Sequence, residues 1–133
     1  MKTKTIAQTV TLPGKPAAVF AALIKEKKHS AFTGVPAKID GRVGGAFTCY
    51  DGYIKGVTVD LVPNKLLVQA WRSRDWPKGH YSLVVFSLSA SRGGKTKLRF
   101  THLGVPAGDF KAKSEGWRSH YWDRLKRYLA KGR

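Results

Sequence analysis

At 133 residues, with 42% hydrophobic and 11% aromatic residues, the chain suits one packed domain over residues 1–133, burying roughly two-thirds of its unfolded surface. Twenty-five Lys and Arg against eight Asp and Glu give a net charge of +17, which favours acidic partners. A single cysteine, Cys49, excludes an intrachain disulfide and a cysteine-based metal cluster.

In chain order, Thr3 to Leu12 alternates, with Ile6, Val10 and Leu12 on one side and Thr5, Thr9 and Thr11 on the other, as a half-buried strand does. Met1-Lys2-Thr3-Lys4 runs straight into it and opens no secretory pattern. Pro13-Gly14 ends the strand, and Pro16 opens a short helix through Ala17, Phe20, Leu23 and Ile24. The run Ala17 to Ile24 is the longest apolar stretch, far too short to span a bilayer. A cytoplasmic protein with no membrane partner is therefore expected. A second short helix around His29 to Phe32 stops at Gly34.

From Pro36 the text changes to strands and turns. Ala46 to Tyr50 leads into Asp51-Gly52, a two-residue hairpin signal, and then Tyr53 to Val62. Pro63-Asn64 turns into Lys65 to Arg72, and the loop Trp76-Pro77-Lys78-Gly79 precedes Tyr81 to Ser89. Arg92-Gly93-Gly94 turns into Lys95 to Leu103, with Leu98, Phe100 and His102 on one face and Lys97, Arg99 and Thr101 on the other. Asp109 is placed to N-cap the last element.

That element reads as a helix over Phe110 to Leu129. At about 100° per residue, Phe110, Trp117, Tyr121, Trp122, Leu125, Tyr128 and Leu129 share one arc. His120, Ser119, Asp123, Arg124, Lys126 and Arg127 fill the other side. Ser114 and Arg118 break the apolar arc in its N-terminal half, as they would in a lid over a cavity. The order is an α+β domain: strand, two short helices, about six antiparallel strands, long helix.

Several motifs occur in one order: Phe32-Thr33, Pro36-Ala37, Gly44-Gly45-Ala46-Phe47, Asp51-Gly52, Gly56, Asp60-Leu61-Val62-Pro63, Trp71-Arg72, Trp76-Pro77, Gly79-His80, Gly104-Val105-Pro106-Ala107 and Gly116-Trp117 with Tyr121. Together they closely resemble the C-terminal domain of the activator of the heat-shock protein 90 ATPase and its stand-alone homologues. That family lies in the START-like, birch-allergen-like (SRPBCC) superfamily. The resemblance implies a helix-grip fold, a curved antiparallel sheet packed on a long C-terminal helix with a cavity between them. It also implies two functions, docking on the chaperone or binding a small apolar ligand. Eukaryotic activators carry a further N-terminal domain that supplies most of the ATPase stimulation, so docking without full activation is the expectation for these residues.

The candidate residues fall into two groups. Ser114, Arg118 and His102, with Phe100, Trp117, Tyr121 and Trp71, are candidates for lining a cavity. A pocket histidine can orient a ligand or move a proton, and its competing role is a hydrogen-bonded core histidine. Arg118 either faces an anionic or carbonyl-bearing ligand or lays its stem over a tryptophan with its head in water. Trp76 and His80 bracket a loop at the cavity mouth; with Arg72, Lys25, Lys27 and Lys28 they are candidates for a partner surface. Further basic clusters, Arg92-Lys95-Lys97-Arg99 and Arg124-Lys126-Arg127-Lys131-Arg133, lie on separate elements, and the sequence leaves open whether they meet.

Catalysis finds little support. The acidic residues show no paired spacing, and histidines 29, 80, 102 and 120 show no metal-ligand spacing. No catalytic residue, metal or cofactor is assigned. Aromatics on the core face and cations on the opposite face argue for nonspecific, salt-sensitive binding of nucleic acid rather than sequence reading.

Overall fold

The first strand closes the architecture by pairing with the last. In the computed structural model, which describes residues 1–132, β1 (Thr3–Leu12) lies antiparallel to β7 (Lys95–Pro106). Between them come α1 (Pro16–Ile24), α2 (Glu26–Thr33), β2 (Lys38–Ile39), β3 (Ala46–Cys49), β4 (Ile54–Val62), β5 (Leu66–Ser73) and β6 (Ser82–Ser91). The seven strands form one curved antiparallel sheet in the order β1-β7-β6-β5-β4-β3-β2. Its concave face grips a C-terminal rod made of α3 (Phe110–Gly116), a π-helical turn (Trp117–Trp122) and α4 (Asp123–Ala130). This is the helix-grip fold that the motif order implies.

Local chemistry sets the elements. Pro16 starts α1 where its missing N–H costs nothing, and Gly34 ends α2 in the left-handed conformation at φ 76°. The β3–β4 connection differs from the expected two-residue turn. Cys49 pairs with Ile54, so four residues form the loop, and Tyr50, Asp51 and Gly52 all take positive φ. A bulky residue such as Tyr50 in that region is strained by about 1–3 kcal/mol, and the loop sets Tyr50 and Tyr53 against His120 and Lys113 of the rod.

Alternation on β7 buries Leu98, Phe100 and His102 and turns Lys97 and Arg99 outward. Beneath the rod, Phe86, Phe100, Trp117 and Trp122 pack at ring-centroid distances of 4.4–6.4 Å. Each such buried side chain contributes roughly 1.5–3 kcal/mol. Among the described residues no helix is long and apolar enough to cross a membrane.

Candidate functional site

The π turn decides which residues of the rod face the sheet. The Asp123 N–H bonds to Arg118 O, an i to i+5 bond. Residues five apart are thereby stacked: Trp117 and Trp122 lie 5.6 Å apart, 21° from parallel. Trp117, Tyr121 and Trp122 are all buried, and Arg118 is rotated out to solvent. The uniform helical wheel had Arg118 in the apolar arc. The wider turn removes it, and the side chain instead borders a shallow groove beside β1 with Ala7, Thr9, Asp123 and Lys126. Ser114 also leaves the expected cluster. Gln8 Nε2 donates to its carbonyl at 2.9 Å and its hydroxyl at 3.2 Å, while Trp122 Nε1 donates to Gln8 Oε1 at 2.7 Å. The three expected polar groups therefore do not converge.

His102 is fully buried. Trp117 Nε1 donates to its Nδ1 at 3.0 Å, and its Nε2 lies 2.7 Å from Ser82 Oγ, which in turn donates to Trp71 O at 2.8 Å. Burial pushes its pKa down to about 3, so it is neutral. His29, missed in the sequence, is a second buried imidazole, 3.2 Å from Tyr121 OH and 3.3 Å from Leu23 O. Burial lowers its pKa to about 4. Burial pushes the Cys49 thiol up to about 12, which leaves it unreactive. Tyr121 itself is raised well above its ordinary value by burial.

The expected mouth is closed. Trp76 is buried rather than on a surface, and its Nε1 donates to Asp109 Oδ2 at 2.7 Å. Asp109 makes no side-chain cap bond, because its carboxylate holds Trp76 and pairs with Lys113 at 2.8 Å. The Arg72 guanidinium donates to the carbonyls of Pro77, Trp76 and His80 at 2.8–3.3 Å, and His80 Nε2 meets Gly104 O at 2.8 Å. Arg72 thus clasps the loop, and His80 ties it to β7.

On the β3–β5 side a cleft of about 490 Å³ opens between sheet and rod. Tyr50, Tyr53, Ile54, Trp71, Trp117 and Tyr121 wall it; Ala112 and Gly116 form its helical side, with Lys113 and His120 among its lining. Of the sequence candidates it gathers Trp71, Trp117 and Tyr121 and excludes Ser114, Arg118, His102 and Phe100. The aromatic residues flanking the Asp51-Gly52 turn were the readable signal for Tyr50 and Tyr53.

The convex face carries a different pattern. Val57, Ala70, Leu83 and Leu103 stand in one row across β4, β5, β6 and β7. Val57, Leu83 and Leu103 are 38–40% exposed. Lys55 and Arg72 pair on one side of this band; Arg99 and Lys97, opposite Ser87 and Ser89, lie on the other. Lys25 and Lys27 are exposed and Lys28 half-buried, on the separate α1–α2 corner. Of the third basic cluster, Lys126, Arg127 and Lys131 are exposed, Arg124 donates to Thr33 O, and Arg133 lies outside the described residues.

The family model described as "Activator of Hsp90 ATPase homolog 1-like protein" matches residues 14–130. The human activator of 90 kDa heat shock protein ATPase homolog 1 is 30% identical over 117 residues, 88% of this chain and 34% of that protein. The Dictyostelium discoideum homologue is 31% identical over 124 residues, 93% and 32% of the two chains. The chain thus spans about a third of the length of the curated relatives it matches. A crystal structure described as an HSP90 activator from Plasmodium falciparum has a TM-score of 0.89 at 25% identity, covering 95% of this chain and 96% of that one.

Proposed function

Because the chain belongs to the activator of Hsp90 ATPase homolog 1-like family, we propose that it docks, without catalysis, on an acidic surface of a 90 kDa heat-shock-type chaperone. The carrying observation is charge left uncompensated within the molecule. Among the described residues only Arg42, with Asp40, and Lys113, with Asp109, form ion pairs, against a net charge of +17. A docking interface needs an apolar centre and a polar rim. The convex row Val57, Leu83 and Leu103, with Lys55 beside it and Arg99 and Lys97 further along the same face of β7, has that composition.

Calorimetry with a purified 90 kDa heat-shock chaperone, at low and at moderate salt, tests the reading. Binding should weaken as salt rises, and a Lys97→Glu/Arg99→Glu double variant, altering two exterior side chains, should bind roughly tenfold more weakly. No association at low salt removes the proposal. Equal retention of duplex DNA, with an equal salt slope and unchanged competition by the chaperone, would assign the charge to polyanions at large.

A further inference from the structure

Three of the four indole nitrogens are satisfied inside the protein: Trp76 by Asp109, Trp117 by His102 and Trp122 by Gln8. Trp71 is the exception. It is 3% exposed, and its Nε1 has no hydrogen-bond partner among the described residues. The one sealed-off, unpaired side-chain polar atom among them is Ser73 Oγ. The Trp71 N–H therefore keeps contact with open space, and the open space that Trp71 lines is the concave cleft.

A donor inventory of the cleft narrows what it would take. Tyr50 OH donates to His120 O, Tyr53 OH to Asp75 and Tyr121 OH to His29. The Lys113 ammonium has three N–H groups; Asp109 takes one at 2.8 Å, and Tyr53 OH lies 3.5 Å away. Trp71 and Lys113 are thus left with donors to give. No carboxylate lines the cleft, and its remaining titratable neighbour, His120, stands on the rod with Nδ1 3.0 Å from Ser119 Oγ. An occupant must bring acceptors and gains from negative charge. The walls ask for a flat ring, since five of the ten lining residues are Tyr or Trp. The volume of about 490 Å³ lies in the range of small-molecule sites, roughly 300–1,000 Å³.

We propose that this cleft binds a planar aromatic carboxylate, its ring between the tyrosine and tryptophan walls and its oxygens accepting from Trp71 Nε1 and Lys113 Nζ. This site is separate from the docking face, which lies on the opposite side of the sheet, so either reading can fail alone. Access is set by two small residues of the rod. Gly116 has helical backbone angles, φ −60° and ψ −41°, and a Cβ added there would meet nothing within 4 Å. The space above it is cleft.

The test uses 2-naphthoate, with naphthalene and cyclohexanecarboxylate as controls, and follows the four indole N–H signals by NMR. The Trp71 signal should shift most, saturating with naphthoate and at least tenfold more weakly with either control. Gly116→Leu should fill the cleft and weaken naphthoate binding at least tenfold while the Trp76 and Trp122 indole signals, which lie outside the cleft lining, keep their positions. If Gly116→Leu fails to fold, Ala112→Leu serves the same purpose. No saturable Trp71 shift overturns the proposal. Equal binding of naphthalene, or undiminished binding by a folded filled-cleft variant, overturns it as well.

Discussion

The Trp117 indole nitrogen donates to Nδ1 of His102 across 3.0 Å, joining the gripped rod to the sheet through a buried pair. An indole N–H can only donate, so Nδ1 must hold the lone pair and the proton sits on Nε2. Nε2–H then donates to Ser82 Oγ, leaving the serine hydrogen for Trp71 O. Every polar atom in this chain has one direction to point. Trp117→Phe would leave Nδ1 orphaned and a void beside it, costing about 2–4 kcal/mol, measurable by urea unfolding. Nitrogen-15 NMR should find the Nε2–H tautomer in the native protein; a proton on Nδ1 would contradict this account.

Two buried neutral imidazoles make stability fall on acidification. His29 and His102 are depressed by burial from 6.5 to about 4 and about 3. The Lys113 charge lowers His102 further, and Asp109 opposes it. Below pH 6.5 the unfolded chain takes up both protons while the native chain does not, so stability drops as pH falls. The contribution is complete above 6.5 and is lost through pH 4 and then 3, at up to about 1.4 kcal/mol per pH unit for each histidine. Urea midpoints at about pH 7.5, 6 and 5 should decline steadily, and His102→Gln should retain about half the slope. Stability that stays flat across that interval would show the histidines are not buried as described.

The fold was legible because its signals are local. Alternation in Thr3–Leu12 and Leu98–His102, Pro16 before α1 and Gly34 after α2 each act within a few residues. The site was less legible, for two physical reasons. A helical wheel assumes one pitch, and the π turn at Trp117–Trp122 changes it, which moved Arg118 from the apolar arc to solvent. Long-range pairing is invisible to periodicity: Gln8 and Ser114 are 106 positions apart and Trp76 and Asp109 are 33 apart. Trp71, Trp117 and Tyr121 come together because large aromatics on interior faces meet wherever the rod crosses the sheet.

Asp109 anchors the start of the rod through two tertiary bonds instead of capping it. Its carboxylate serves Trp76 Nε1 and the part-buried Lys113 at once. Asp109→Ala leaves a shielded ammonium and an indole N–H without partners, at a cost of about 2–3 kcal/mol. Asp109→Asn keeps an acceptor for Trp76 and should lose about half as much. A double-mutant cycle with Trp76→Phe should return a coupling of about 1 kcal/mol. Zero coupling would mean that the Trp76 bond carries no energy.

Two glycines should respond oppositely to the same substitution. Gly56 sits between Phe47 on β3 and Trp71 on β5. A Cβ there would stand 1.9 Å from Ala70 O and 2.6 Å from Phe47 Cζ, so the strand or the ring must move. Gly56→Ala should destabilise by about 2–4 kcal/mol. Gly116 is helical with open space around its missing Cβ, and glycine inside a helix costs up to about 1 kcal/mol relative to alanine. Gly116→Ala should therefore raise the unfolding midpoint by a corresponding amount. Both substitutions add one methyl group to a buried or half-buried glycine, so composition and charge predict equal effects. Opposite signs in paired urea titrations would follow only if β4 is pressed by Phe47 and the rod borders free space, and equal signs would refute one of those placements.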